Sequence, residues 1–95
     1  MWDFIRRLTA MNGQMLNKIR ASQIYDEALS LHSAKEFLKA LPLMQEASAL
    51  GHPQAMSILG TMYLLGQGVK EDGKQAEFWL KKSIDAGFSD AGSIL

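Results

Sequence analysis

Cysteine is absent from the 95 residues, which excludes a disulfide framework and thiolate metal sites and suits a reducing compartment. Proline is scarce, at two residues, so long stretches are free of the side chain that most disrupts helices. Net charge is also missing. Ten Lys plus Arg balance ten Asp plus Glu, leaving no bulk attraction for a phosphate backbone, and nucleic-acid binding is not expected. No segment approaches the roughly 20 apolar residues that cross a bilayer, because Arg, Lys, Asp and Glu interrupt every candidate. The opening MWDFIRRLTAMNGQMLNK places Asp3, Arg6 and Arg7 where a secretory leader needs an unbroken apolar core. No export signal is read there, and a cytoplasmic location is the expectation.

What is present points to a folded, helical chain. At 47% apolar and 21% charged residues the composition is globular. A chain this short buries only about 60 to 65% of its unfolded surface, so it needs regular helical packing or help from a partner. Ala55, Ile58, Leu59, Met62 and Tyr63 recur on one face of a 3.6-residue period and predict a helix over 54–66. Ala76, Trp79, Leu80, Ser83 and Ile84 predict another over 74–86, with Asp72 as N-cap and Gly87 as C-cap. Phe37, Ala40, Leu43, Met44 and Ala47 form a third face ending at Gly51, with Ser33 and Glu36 spaced as a capping box. Pro42 within it predicts a kink or a helix start close to Phe37. Met15, Ile19, Ala21, Ile24, Ala28 and Leu31 predict a helix over 14–31. Trp2, Ile5 and Leu8 predict a short one stopping near Asn12-Gly13.

The chain repeats itself. A shift of 36 residues lays Gly51 on Gly87, Ala55 on Ala91, Leu59 on Leu95, Ala40 on Ala76 and Met44 on Leu80. Each unit is a helical hairpin whose apolar face cannot be buried alone, so stacking is implied. The residues Ala55, Leu59, Gly60, Tyr63, Gly66, Gly68 and Val69, followed by Asp72, Lys74, Ala76, Trp79, Lys82 and Gly87, resemble the Sel-one-like repeat of the tetratricopeptide-repeat superfamily. The stretch Ala21 to Gly51 resembles a looser tetratricopeptide-type hairpin, with Ala28, Ala40 and Ala47 at its small-residue positions. Gly73 departs from the pattern where an aromatic often follows Asp72.

The resemblance implies an all-α, short right-handed α-solenoid of stacked hairpins. The expected division is a capping helix at 1–13, a tetratricopeptide-like hairpin at 14–51, a Sel-one-like repeat at 52–87 and the start of a truncated repeat at 88–95. Gly60, Tyr63, Gly66, Gly68, Ala76, Trp79 and Gly87 would be structural. The first helix of each hairpin would line a concave surface, presenting Ser22, Tyr25, Leu29 and His32, then Gln54, Ser57, Thr61, Leu64 and Leu65, to a protein partner. Leu64 and Leu65 extend past the buried stripe, as apolar binding positions do. Such repeats serve as adaptors, and some small bacterial ones as immunity proteins that neutralise a secreted antibacterial toxin; a small enzyme is the weakest alternative.

No constellation of catalytic residues opposes this. Gly66-Gln67-Gly68 follows a helix, whereas a dinucleotide loop follows a strand, so it is a helix end and turn. Asp26 and Glu27 are helical neighbours pointing about 100° apart and cannot share a proton. His32 and His52 lack a carboxylate or second histidine at ligand spacing, so they are read as helix-end residues, and no metal or cofactor is expected. The six methionines are read as core filler, and Lys35, Lys70, Lys74, Lys81 and Lys82 as a solvated face. The N-terminal helix carries Trp2, Phe4, Ile5 and Leu8 beside Arg6 and Arg7; it is expected to cap the first hairpin, with a membrane surface as the other reading. A face around Phe78, Ile84, Phe88 and Leu95 is expected to be covered by a second copy, as a homodimer, or by the protein partner.

Overall fold

The computed structural model describes residues 2–88, with the side chains of 8–12 excepted. Four helices succeed one another: α1 (Trp2–Ser33), α2 (Phe37–Ala49), α3 (Pro53–Leu65) and α4 (Gly73–Asp85). Among the described residues there is no strand. The main packing runs between consecutive helices, α1 on α2, α2 on α3 and α3 on α4, which is the stacking of a short helical solenoid. The 36-residue period is literal in the backbone, because α2 starts at Phe37 and ends at Ala49 while α4 starts at Gly73 and ends at Asp85. The register partners Ala91 and Leu95 lie outside the described residues.

Each helix closes in one way. The N–H groups of Glu36, His52, Gln67 and Phe88 donate back to the carbonyls of Leu31, Ala47, Met62 and Ser83. Each of these bonds follows a residue in the left-handed region, Lys35, Gly51, Gly66 or Gly87. This arrangement satisfies carbonyls that the helix itself leaves unpaired. Asp72 caps α4 by accepting from the N–H groups of Lys74 and Gln75 at 3.0 and 3.2 Å.

The core joins Ala28 of α1, Ala40, Met44 and Ala47 of α2, and Ala55, Leu59 and Met62 of α3, all fully buried. Alanine at four of these seven places keeps the helix axes close, and the larger Ile24, Leu31, Phe37, Tyr63 and Trp79 pack around them. At the next crossing Gly60 leaves room for α4. A Cβ there would meet Leu80 Cγ at 2.8 Å and the Ala76 carbonyl at 3.1 Å. Buried Ser83 fastens the same pair of helices, its hydroxyl donating to the Pro53 carbonyl at 2.6 Å.

Three local expectations are corrected. The helix does not stop at Asn12-Gly13: α1 continues from Trp2 through Ser33. Glycine inside a helix costs only about 1 kcal/mol, and the Gln, Met and Leu that follow are strong helix formers. Nor does the first part of α1 cap the hairpin. Residues 2–7 and 13–20 are exposed on every side of the helix, because α1, at 32 residues, is far longer than the 13-residue α2 it packs on. The Ser33 and Glu36 capping box does not form either. Ser33 is still within α1, Glu36 stands at the N-cap of α2 without a side-chain cap bond, and its carboxylate lies 3.5 Å from Lys39 Nζ instead. Pro42 is accommodated within α2, which starts at Phe37. The carbonyl it cannot serve belongs to Leu38, a residue 79% exposed and so open to solvent.

Candidate functional site

Two side-chain contacts tie α1 to the residues that flank α3, one before its first turn and one after its last, and their order makes the two helices point the same way. At one end the ring of Tyr25 stacks on that of His52, with centroids 4.3 Å apart and planes 22° from parallel. At the other end His32 Nε2–H donates to Gln67 Oε1 at 2.8 Å, and the His32 ring leans on Phe37 at 5.2 Å. Between these two braces the pair presents a shallow face.

On α1 this face carries exposed Ser22 and half-buried Tyr25, Leu29 and His32. On α3 it carries exposed Gln54 and Leu65 and half-buried Thr61. At about 100° per residue, Gln54, Thr61 and Leu65 fall on one line of the helix. Two expected positions behave differently. Ser57 is buried, at 5% exposure, because α3 is clasped by α2 on one side and α4 on the other, and Thr61 Oγ1 donates to the Ser57 carbonyl at 3.1 Å. Leu64 is exposed, at 39%, but stands about 100° around the helix from Leu65. Gln67 and half-buried Ile58 also border this face; the first was read only as a turn residue and the second only as core, since a long-range hydrogen bond leaves no mark in a local pattern.

The foot of the face opens into a cleft of about 400 Å³ between Lys18, Ala21 and Ser22 of α1 and the turn Leu50 to Pro53, with Ala86 opposite. His52 dominates its chemistry. Its Nδ1 accepts the N–H of Ala55 at 3.2 Å and so caps α3, which requires a free lone pair and hence a neutral ring. Burial lowers its pKa from the usual 6.5, against a smaller opposing pull from Asp26. Burial likewise raises the Tyr25 hydroxyl above 10.0, with Asp26 adding in the same direction. The folded state thus favours neutral His52. Above pH 6.5 both folded and unfolded chains carry it uncharged and the cap is intact; as the pH falls through the lowered folded value, the proton breaks the cap and stability declines. Unfolding by urea at pH 7.5 and pH 5 should show a loss of about 1 kcal/mol at the lower pH, on the scale of an N-cap. His52→Asn, which caps without titrating, should flatten that part of the profile.

On the far side of the molecule Phe78 and Trp79 meet edge to face at 5.2 Å, and Lys82 Nζ sits 5.4 and 5.6 Å from their ring centres. Lys81 pairs with Glu77 at 2.7 Å in the open. Among the described residues no group of His, Asp or Glu could hold a metal ion, and no helix is long and apolar enough to cross a membrane.

Comparison with known proteins agrees with this geometry. Residues 53–88 match the Sel1 repeat family, and that span is the α3–α4 hairpin with its closing turn. An uncharacterized protein of Neisseria meningitidis serogroup B is 41% identical over 58 residues, which cover 57% of this chain and 12% of that protein. The chain therefore corresponds to a small part of the length of that relative. No solved structure matches the chain significantly. Sel1 repeats are protein interaction modules of tetratricopeptide-like helical build.

Proposed function

We propose that this chain, a helical-repeat protein with a Sel1 repeat at residues 53–88, holds a segment of another protein along the face shared by α1 and α3, without catalysing a reaction. The observation that carries this reading is the braced row itself. Tyr25, Leu29, Thr61 and Leu65 offer apolar surface, Ser22, His32, Gln54 and Gln67 offer hydrogen-bonding groups, and the Tyr25–His52 stack and His32–Gln67 bond hold the two helices in fixed register. A preorganised face loses little entropy on binding, which is how small interfaces reach useful affinity. Neutralisation of a secreted toxin is a narrower form of the same binding, in which the segment held belongs to the toxin.

The test is photo-crosslinking. A crosslinking side chain at Gln54 or Leu65 should yield a discrete adduct with the partner, and one at Lys39 or Glu46 of α2 should not. Thr61→Arg with Leu65→Glu should weaken capture about thirtyfold or more, as loss of a central contact does, with the circular dichroism melt unchanged. Adducts formed equally from α2 would overturn the assignment of this face.

A further inference from the structure

The first nineteen residues of α1, 2–20, have no place in the solenoid. They form about 28 Å of helix in which Trp2, Phe4, Met15, Leu16 and Ile19 stand 49 to 75% exposed. Their direction is informative. At about 100° per residue, Phe4, Met15, Leu16 and Ile19 occupy an arc of roughly 120°, while Ala21, Ile24, Ala28 and Leu31, which meet the rest of the fold, centre on the opposite side, roughly 160° away. The apolar stripe changes sides between residues 19 and 21, so this face cannot be reached by a hairpin stacked in the solenoid's own register.

Charge separates in the same place. Residues 2–20 hold Arg6, Arg7, Lys18 and Arg20 against Asp3, a net +3, and the other residues of the neutral chain must together carry −3. Three of the four basic side chains flank the apolar arc: on the helical wheel Arg7 and Lys18 border one edge and Arg20, beside Trp2, borders the other, while Arg6 lies on the opposite side. Long basic chains at the rims of an apolar face, with tryptophan at the edge, fit a helix lying in the plane of a membrane: the stems reach along the apolar surface and the charged heads reach the phosphates.

We propose that residues 2–20 bind the surface of an anionic lipid bilayer, with Phe4, Met15, Leu16 and Ile19 entering the acyl boundary and Arg7, Lys18 and Arg20 engaging lipid phosphates. A second copy of the chain suits the face less well, because pairing two such helices brings +3 against +3. A bilayer suits it on both counts, apolar contact and opposite charge.

Vesicle binding of the full chain tests this. Vesicles of phosphatidylcholine with a quarter phosphatidylglycerol should bind it roughly a hundredfold more tightly than phosphatidylcholine alone, the advantage expected of three net charges, and added salt should reduce the difference. In a Trp79→Phe background, where Trp2 is the remaining tryptophan, emission should shift to the blue on binding. Leu16→Glu with Ile19→Glu should abolish binding while the melt of the hairpins is unchanged, and Arg7→Glu with Arg20→Glu should abolish the preference for anionic lipid. Absence of binding to the anionic vesicles, or equal binding by the charge-reversed variant, overturns the proposal. A dimer at micromolar concentration that Leu16→Glu with Ile19→Glu dissociates would also overturn it, assigning the face to a second copy.

Discussion

Gly68→Ala should destabilise the protein by roughly 2–4 kcal/mol, from two costs that add. Gly68 sits at φ 73°, in the left-handed region that a side chain disfavours. A Cβ there would also lie 2.7 Å from both the carbonyl carbon and the oxygen of Phe37. Those are backbone atoms in the first turn of α2, so they cannot swing aside as a side-chain tip could. Gly51 is the natural control. It too has positive φ, 92°, but nothing lies within 4 Å of its missing Cβ, so Gly51→Ala should bear the conformational cost alone, about 1 kcal/mol. Urea unfolding of both variants, with unchanged dependence on denaturant, separates the two contributions. Equal losses would mean that the loop after α3 does not press on α2.

Leu59→Ala should remove about 2–5 kcal/mol from a domain whose whole stability is on the order of 5–14 kcal/mol. Leu59 is fully buried where α2, α3 and α1 converge, and its neighbours Met44 and Met62 are held by helices on both sides, so the gap left behind cannot close completely. Leu65, six residues on in the same helix, is 60% exposed. Leu65→Ala should therefore change stability by no more than about 0.5 kcal/mol. Comparable losses at the two positions would place α3 in a different rotation about its axis and undo the face assigned to Gln54, Thr61 and Leu65.

Much of this architecture was legible because it rests on spacing. The 36-residue shift joined Gly51 to Gly87 and Ala40 to Ala76, and α2 and α4 obey it at both ends, since a repeated hairpin must repeat its turn and its close contacts. What escaped was set by surroundings rather than by neighbours in sequence. Asn12-Gly13 has the composition of a turn, yet no contact favours a turn there and the helix continues. Ser33 and Glu36 have the spacing of a capping box, but Lys35 takes the left-handed conformation usually left to glycine and carries α1 through to Ser33. Ser57 lies on the polar side of its own helix and is still buried, because a second neighbour covers it. His52 was legible as a residue at a helix end. Its stack on Tyr25, 27 positions earlier in the sequence, was not.

The order of packing has a kinetic consequence. Because the principal contacts join each helix to the next in sequence, little chain must be closed before a native contact is gained, and the entropy of loop closure is met in short instalments. Folding should accordingly be fast, in the microsecond to millisecond range of helical domains with local contacts. It can begin at either hairpin and spread along the array, as in other stacked repeats. The α3–α4 unit, with its Asp72 cap and its Ser83 bond to Pro53, is equipped to form early, and substitutions there should slow folding more than they speed unfolding. Substitutions at the exposed positions 2–7 and 13–17 should change neither rate.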